Sequence, residues 1–365
     1  MALLLMDGFD CYADIAEFRE SPWTTHGGES GLTINTTGGV NGGGCMSLSS
    51  ISNYGFHRAL SYGYSYSETD VPSQTYTFQA WVYIDTFGGS PDIALQFLTG
   101  IDEIAQVYFN PTGQVQVSTF NHTTVTNHGY NDAFTVDTWH FLEFQILTSS
   151  TSATADGTYE IRVDGTTVDS GSSLNIHYGT SIVQPMDAIR LTGGDQSLVY
   201  WDDVVVMDGT GADANLNDFT GPRYIDTINV EADGGTVDWT RNTGSNDWEM
   251  VDDTANAADD DTTYVYSNTV AQETRFNLAA PSNTDDEVHA LQIRARLKKS
   301  DAGDRTVRGL INVAGGTEET TYHTFGPTTE YLWYDLGVRE TNDTGGTAWD
   351  VAEVTNTEIG IEIVS

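Results

Sequence analysis

Apolar and polar side chains alternate with a period of two along much of this chain. The clearest stretch is TYTFQAWVYID, residues 75–85, in which alternate positions are apolar: Tyr76, Phe78, Ala80, Val82 and Ile84. This period is typical of a strand that buries one face. The same reasoning predicts further strands at residues 93–98, 105–109, 115–120 and 139–147.

Gly, Asn and Ser mark the turns between these strands. The segment TYEIRVDGTTVD, residues 158–169, is predicted to be a β-hairpin, because the Asp164-Gly165 step suits a two-residue hairpin turn. Residues 188–191 and YWDDVVVMDGTG (200–211) add two more strands. About ten short strands separated by such turns predict an all-β jelly-roll sandwich.

The composition of the sequence changes at Gly211, because the segment GADANLNDFTGPRY is polar and rich in turn residues. Such a segment marks a domain boundary. Strands are then predicted at residues 224–230, 262–266, 288–297, 306–313, 320–325, 331–338 and 357–363. The predicted organisation is a jelly-roll sandwich at residues 1–210, a linker at 211–222 and a smaller C-terminal β-sandwich at 223–365.

The balance of acidic and basic residues adds an expectation about the environment in which the protein works. The chain has 53 acidic and 14 basic residues, a formal net charge of −39, and its only lysines are Lys298 and Lys299. So much like charge repels itself in dilute buffer, whereas in molar salt the Debye length falls to about 3 Å. We therefore predict a halophilic host. The shortage of cations also excludes nucleic-acid binding through phosphates.

The two cysteines, Cys11 and Cys45, are too few for a disulfide framework, and either one bridge or two buried thiols fit the sequence. The opening MALLLM is too short for a signal peptide. No apolar run reaches the length that spans a bilayer, so no membrane insertion is expected.

One acidic segment is a candidate Ca²⁺ site, because calcium prefers oxygen ligands. Its carboxylates are Asp252, Asp253, Asp259, Asp260 and Asp261. The alternative is a solvated acidic loop of the kind that a halophilic surface carries. No other cofactor is expected.

The paired carboxylates Asp202 and Asp203 do not predict catalysis. Consecutive residues of a strand point to opposite faces, so these two cannot form the carboxylate pair of a glycoside hydrolase. No other catalytic motif is present, and the sequence predicts a protein that is not an enzyme. The stretch YWDDVVVMDGTG is instead predicted to be a strand covered on both faces, which closes the N-terminal sandwich.

Aromatic and histidine side chains provide candidate contacts to a glycan or a protein partner. In SYGYSYS, Tyr62, Tyr64 and Tyr66 share one face of a predicted strand, either to stack on sugar rings or to form the inner layer of a sheet. His122 and His128 lie in the loop FNHTTVTNHGY, where they join a binding surface or are exposed turn residues.

The N-terminal pattern resembles the concanavalin A-like (laminin G-like) jelly roll, in which the first strand, here in ALLLMDGFDCY, pairs with the last, here in SLVYWDDVVVMD. The order of motifs along nearly the whole chain also resembles a family of tailed-bacteriophage virion proteins, the minor tail or structural proteins with a laminin G-like domain. Those motifs are MDGFDCY, WDDVVVMDGTGADANLNDFTGPRYI, EADGGTVDWTRNTGSNDWEMVDD, DDDTTYVYS, RARLKKSDAG and EIGIEI.

The resemblance implies a virion structural protein, synthesised in the host cytoplasm and exposed on the tail, baseplate or capsid. Its implied partners are other virion proteins, further copies of itself and host-surface glycans. It implies no catalytic residues. The alternatives are a capsid decoration or turret protein, a polysaccharide-degrading tail enzyme and a secreted carbohydrate-binding module.

Overall fold

The computed structural model describes residues 3–26, 31–49, 55–59, 74–99, 102–121, 124–177, 186–193, 197–209, 218–254, 256–282, 287–313, 320–342 and 348–365. Within these ranges strands dominate, and the α-helices are α1 (Ile15–Phe18) and α2 (Val351–Thr355). The predicted all-β class is confirmed. Neither of these helices has the length and apolar character needed to cross a membrane.

The chain divides into two compact units. The first comprises Met1–Phe9, Asp14–Arg19 and Trp23–Ile225, and the second comprises Asp10–Ala13, Glu20–Pro22 and Asp226–Ser365. Most of the predicted linker at 211–222 lies outside the described residues. In the described part of this segment, the backbone N–H groups of Thr220 and Gly221 each donate a 3.0 Å hydrogen bond to Glu143 Oε1.

The strands of the first unit are β1 (Leu3–Asp7), β2 (Thr24–His26), β3 (Leu32–Asn35), β4 (Cys45–Ser49), β5 (Gly55–Ala59), β6 (Thr75–Thr86), β7 (Asp92–Thr99), β8 (Asp102–Phe109), β9 (Gln114–Asn121), β10 (Thr124–Asn127), β11 (Asn131–Asp132), β12 (Trp139–Leu147), β13 (Gly157–Val163), β14 (Thr166–Leu174), β15 (Ala188–Thr192) and β16 (Leu198–Met207).

These strands form two antiparallel sheets. Sheet A has the order β14-β13-β12-β6-β16-β4-β3 with β1 also on β16, and sheet B has the order β10-β9-β8-β7-β15-β5-β2 with β11 also on β9. Phe97 of sheet B packs against Phe78 and Phe144 of sheet A, at ring-centroid distances of 6.4 and 5.2 Å. The two sheets therefore enclose one apolar core, as the predicted jelly roll requires.

The β16 strand closes sheet A as the sequence predicts. It pairs antiparallel with β1, with Met6 opposite Val205, and its Trp201 is fully buried. The paired carboxylates lie at a bulge of this strand, where Asp203 has a φ of 49°. Asp202 accepts a 2.8 Å bond from the Val40 backbone N–H, so this carboxylate ties a loop to the strand.

The predicted hairpin is formed by β13 and β14. Asp164 and Gly165 have φ values of 51° and 75°, and Val163 pairs with Thr166. Positive φ at both central residues is the type I′ turn, whose twist matches that of the flanking strands.

The second unit contains β17 (Val230–Val237), β18 (Thr240–Arg241), β19 (Val265–Tyr266), β20 (Glu273–Leu278), β21 (Leu291–Leu297), β22 (Val307–Asn312), β23 (Thr320–Phe325), β24 (Leu332–Arg339) and β25 (Glu358–Ile363). A five-stranded sheet β17-β20-β25-β22-β23 and the pair β21-β24 share one core. That core is built from Leu278, Ile293, Val307, Ile311, Val313, Leu336, Trp349, Val354 and Ile363. The second sandwich is thus present, but two predicted strands are shorter than expected, since residues 224–229 form none and only the last two of 262–266 pair.

Candidate functional site

A row of polar side chains crosses the outer face of sheet B. On β7, Phe97 points into the core, so the adjacent Gln96 must point away from it. The register then places Arg190 of β15 beside Gln96, Gln106 of β8 on its other side, Ser118 of β9 next, and Asn127 of β10 last. We call these five side chains the polar rung.

The members of the polar rung are well shielded although they face away from the core. Arg190, Gln96, Gln106 and Ser118 are 8, 4, 5 and 0% exposed, whereas Asn127 at the sheet edge is exposed. A polar row with this gradient differs from an ordinary solvated strand face, on which polar side chains point freely into water. Other atoms of the chain therefore cover these four side chains.

Hydrogen bonds join the rung to half-buried neighbours. Arg190 Nη1 donates to Gln96 Oε1 over 2.8 Å, and Gln96 Nε2 donates to Glu103 Oε1 over 3.3 Å. The Tyr108 hydroxyl donates to Gln106 Oε1, and Ser118 Oγ donates to Asn127 Oδ1 over 2.7 Å. Burial raises the pKa of Tyr108, so its hydroxyl keeps its proton and remains a donor at neutral pH.

The guanidinium of Arg190 is the positive charge of the polar rung. Burial lowers the pKa of its guanidinium, and the nearby Glu103 carboxylate opposes that shift. An arginine nevertheless keeps its charge in proteins. Among the described residues no carboxylate forms an ion pair with Arg190, and its Nε has no hydrogen-bond acceptor.

The outer face of sheet A is occupied by the chain itself. Trp81 Nε1 donates to the Arg223 carbonyl over 2.8 Å, and the Tyr224 ring stacks on Trp81 with a centroid distance of 5.3 Å. The Arg162 guanidinium lies 3.8 Å from the centroid of the Phe219 ring. The segment 218–225 therefore covers the middle of this face.

An aromatic group lies further along the same face of sheet A. Tyr83 meets Trp139 at an interplanar angle of 52° and Tyr200 at 84°. Stacking on a pyranose ring needs an exposed flat surface, whereas rings crossed at these angles pack against one another. We therefore assign these rings to the structure of the face.

A hydroxyl, an imidazole and a carboxylate lie together beside the hairpin tip, the same three kinds of group as in a hydrolase triad. They belong to Thr135, His140 and Asp164. His140 Nδ1 lies 2.7 Å from Asp164 Oδ2, and His140 Nε2 lies 2.9 Å from Thr135 Oγ1. The Thr135 backbone N–H also donates to Nε2 over 3.1 Å. Because that bond occupies the acceptor a general base would need, the arrangement ties the 135 loop to the hairpin.

The structure places the five acidic calcium candidates in separate roles. Asp253 accepts the Asp259 backbone N–H, and Asp259 accepts two bonds of 2.9 Å from Thr263. Asp260 pairs with Arg296, and Asp261 pairs with Lys298. No group of three metal-ligating side chains converges within the described ranges. Asp252 is exposed in the same loop, and calcium binding there stays a prediction.

The aromatic and histidine candidates have different outcomes. Tyr62, Tyr64, Tyr66 and His122 lie outside the described residues. The half-buried ring of His128 lies 4.6 Å from that of Tyr159, and its Nε2 is 3.2 Å from Thr119 Oγ1. Tyr159 belongs to sheet A and Thr119 to sheet B, so this ring lies at the edge of the sandwich interior. A contact between His128 and a glycan stays a prediction.

His128 should make stability depend on pH. Burial lowers its pKa below the ordinary 6.5, and Asp169 only partly opposes this. Between the lowered value and 6.5 the unfolded chain binds more protons, so stability is full above 6.5 and is lost as pH falls through the folded-state pKa. We expect the free energy of unfolding of the wild type, relative to His128→Asn, to decline from pH 7 to pH 5 in chemical denaturation. A pH-independent difference would contradict this.

Two signals of the polar rung are visible in the sequence. Gln96 and Gln106 interrupt strands that are otherwise apolar, and Arg190 lies inside AIRL. Such interruptions identify outer-face positions one strand at a time. Their alignment into one row depends on the pairing of five strands, which no local pattern specifies.

No protein-family model and no curated protein matches the sequence. Solved structures with a similar fold include an endo-β-1,4-glucuronan lyase from Trichoderma reesei, with 15% identity over 51% of this chain and 90% of that chain and a TM-score of 0.37. A carbohydrate esterase from the Shiga toxin-encoding bacteriophage phi24B shows 16% identity over 51% and 89%, with a TM-score of 0.35. Domain 4 of an extracellular arabinanase from Geobacillus stearothermophilus, in complex with arabinotriose, shows 13% identity over 57% and 92%, with a TM-score of 0.35.

The similarity to these three structures is a similarity of fold. They confirm the predicted β-sandwich class, and by their names all three proteins act on or bind carbohydrate. The prediction that the chain is not an enzyme is wrong as an exclusion, because the similar structures include a lyase and an esterase. The lack of a catalytic motif in the sequence does not suffice to exclude catalysis.

Proposed function

We propose that this protein binds glycan through the polar rung and serves as an outward-facing component of a tailed-virus particle, on the tail, baseplate or capsid. The observation that carries the glycan proposal is the rung itself. Five aligned polar side chains cross the outer face of sheet B, and four of them are shielded from water.

Sugar hydroxyls both donate and accept hydrogen bonds, and the rung offers both. Gln96 and Gln106 each carry a buried amide, and the half-buried Tyr108 adds a hydroxyl beside them. Neighbouring strands lie about 4.8 Å apart, so a rung across five strands extends about 19 Å, enough for more than one sugar ring. Shielded polar groups also bind more selectively, because a ligand that leaves them unpaired costs free energy.

The virion part of the proposal is supported by the order of motifs and by the net charge of −39. A particle protein of a halophilic host folds in the cytoplasm and then remains in brine, where an acidic surface stays soluble. Partners are then other virion proteins and further copies of this chain. Host-surface glycan is the ligand we propose for the rung.

Replacing Gln106 with Leu should weaken glycan binding by about 3- to 10-fold, since a hydrogen bond contributes about 0.5–1.5 kcal/mol. The substitution keeps the volume and removes both hydrogen-bonding groups of the amide. Binding is measured by calorimetry against oligosaccharides released from the host envelope, in molar KCl. The control is Thr166→Val, an exposed position on β14 of sheet A.

If wild type and Gln106→Leu bind the oligosaccharides with equal affinity and melt at the same temperature, the proposal that glycan binds through the polar rung is contradicted. Chromatography of the same oligosaccharides after incubation shows whether they are also cleaved. Mass spectrometry of purified particles tests the virion part, and absence of the chain from the particles would refute it.

A further inference from the structure

We infer that the β10 edge of sheet B is an interface between two copies of this chain. In this interface β10 pairs antiparallel with β10 of the partner subunit and joins the two B sheets into one. The interface is supported by the exposure of β10, by the direction of its backbone groups and by the lack of charge around it. It is independent of glycan binding, and its test uses no glycan.

The β10 strand is accessible to a partner. It lies at the end of sheet B, and no strand of the described part of the chain lies beyond it. All four residues of Thr124–Asn127 are exposed, and Val125 is 52% exposed. An open edge of this kind offers its backbone groups to a further strand.

The register of β10 against β9 shows which backbone groups point outward. Residues of an antiparallel pair alternate between hydrogen-bonded and non-hydrogen-bonded positions. The His128 N–H donates to the Val117 carbonyl over 2.9 Å, so His128 occupies a hydrogen-bonded position. Counting back along the register, Val125 and Asn127 occupy non-hydrogen-bonded positions. Their N–H and C=O groups therefore point away from β9, towards the open side of the sheet.

These outward groups fit a symmetric pairing. With Thr126 on a twofold axis, Val125 lies opposite Asn127 of the partner subunit, and Asn127 lies opposite the partner subunit's Val125. Each of these contacts exchanges N–H···O=C bonds in both directions. This register therefore satisfies every outward backbone group of Val125 and Asn127.

The distribution of charge favours a second copy of this chain as the occupant. Residues 104–131, which include β9, β10 and most of β8, contain no Asp, Glu, Lys or Arg, although the whole chain carries −39. Two molecules with this charge repel one another wherever their carboxylates meet. An uncharged edge is where two such molecules approach with little repulsion, whereas a basic partner would find no carboxylate on β10 to bind.

The β14 edge of sheet A shows the contrast. Its register against β13 shifts at two places, and Ser173 has a φ of 57°. Bulges of this kind twist an edge away from an approaching strand and so prevent pairing. The pairing of β10 with β9 has no such shift, so β10 remains regular enough to accept a partner strand.

Pairing through β10 gives the dimer a common outer side. Directly opposed residues of two paired strands point to the same face. Asn127 belongs to the outer face of sheet B, and Val125, two residues before it, shares that face. The two outer faces are therefore presented in one direction, as an outward-facing particle component requires.

The first test measures self-association of the full chain by sedimentation velocity in molar KCl, over a series of protein concentrations. Val125→Lys places a charge beside the partner strand and acts twice in a symmetric dimer, so we expect it to raise the dissociation constant about tenfold or more. Val125→Thr keeps an uncharged β-branched residue and should still dimerise. Val270→Lys is the matched control, because Val270 is 57% exposed in the second unit.

The second test uses a disulfide to check the register. Thr126 lies opposite Thr126 of the partner subunit at a non-hydrogen-bonded position, where Cα atoms are about 4.5 Å apart, a separation that a disulfide spans. Thr126→Cys should therefore form a covalent dimer under mild oxidation. Ser170→Cys, at an exposed position of β14, is the control, and the wild type accounts for the buried Cys11 and Cys45.

A chain that stays monomeric at every concentration would overturn the inference. So would a dimer that Val125→Lys leaves intact, or one that Ser170→Cys cross-links as readily as Thr126→Cys. Thermal melting in the same buffer verifies that each variant is folded, and if Val125→Lys does not fold, the cross-linking of Thr126→Cys decides. Because no glycan is present, a failure of glycan binding at the polar rung leaves these results unchanged.

Discussion

Transfer from molar to millimolar KCl is expected to unfold this protein, and restoring the salt should refold it. The chain carries a formal charge of −39. At about 0.1 M salt the Debye length is about 10 Å, so neighbouring surface carboxylates repel one another, whereas at 1 M it is about 3 Å and the repulsion is screened. The expected readout is a melting temperature that rises steeply between these concentrations in circular dichroism.

The few cations do not compensate for this charge. Lys298 pairs with the exposed Asp261, and such exposed ion pairs contribute little. The half-buried Arg296 pairs with Glu20 and Asp260 and neutralises only one further charge. Sucrose at equal osmolality is the control, because it favours compact states without screening charge. Stability that sucrose restores as well as KCl, or full stability without salt, would refute the charge explanation and with it the predicted halophilic origin.

Trp201→Ala is expected to destabilise the first unit by about 3–5 kcal/mol, the cost of removing a large buried aromatic side chain. Trp201 is 0% exposed on β16, and its ring meets Phe78 edge-on at 5.9 Å. Because β16 lies between β6 and β4 and also pairs with β1, a cavity there weakens the strand that closes sheet A. The measurement is urea denaturation in molar salt.

Two variants separate the cavity from the hydrogen bond. The indole N–H of Trp201 has no acceptor among the described residues, so Trp201→Phe removes no hydrogen bond and should cost far less than Trp201→Ala. Tyr200→Ala changes the neighbouring outer-face residue and should also cost less. Similar losses for Phe and Ala at position 201 would contradict the packing explanation.

Local patterns predicted the elements of the first unit with good accuracy. The alternation in TYTFQAWVYID became β6, and Asp164-Gly165 became the type I′ turn of β13 and β14. Both depend on contacts between residues close in sequence, so a short segment carries enough information. The predicted strand at 224–230 failed because Tyr224 is engaged by Trp81, more than a hundred residues away, and the chain there runs across sheet A.

The candidate site was less predictable than the fold. Asp202 and Asp203 were expected on opposite faces of a regular strand, but a bulge with positive φ at Asp203 lies there, and Asp202 holds the loop at Val40. In the sequence, the acidic segment at 252–261 is a calcium candidate by its carboxylates alone. Whether Asp260 and Asp261 are available to a metal depends on Arg296 and Lys298, which only the folded chain brings to them.

The amino-acid sequence was sufficient for the all-β class, the strand that closes the first sandwich and the expectation of a salt-dependent surface. Hydrophobic period, turn residues and charge are properties of short segments or of simple sums, so no fold is needed to read them. The polar rung arises only from tertiary structure. Arg190, Gln96 and Gln106 become neighbours when β15, β7 and β8 pair in register, because strand pairing joins residues distant in sequence and selects which polar side chains share a face.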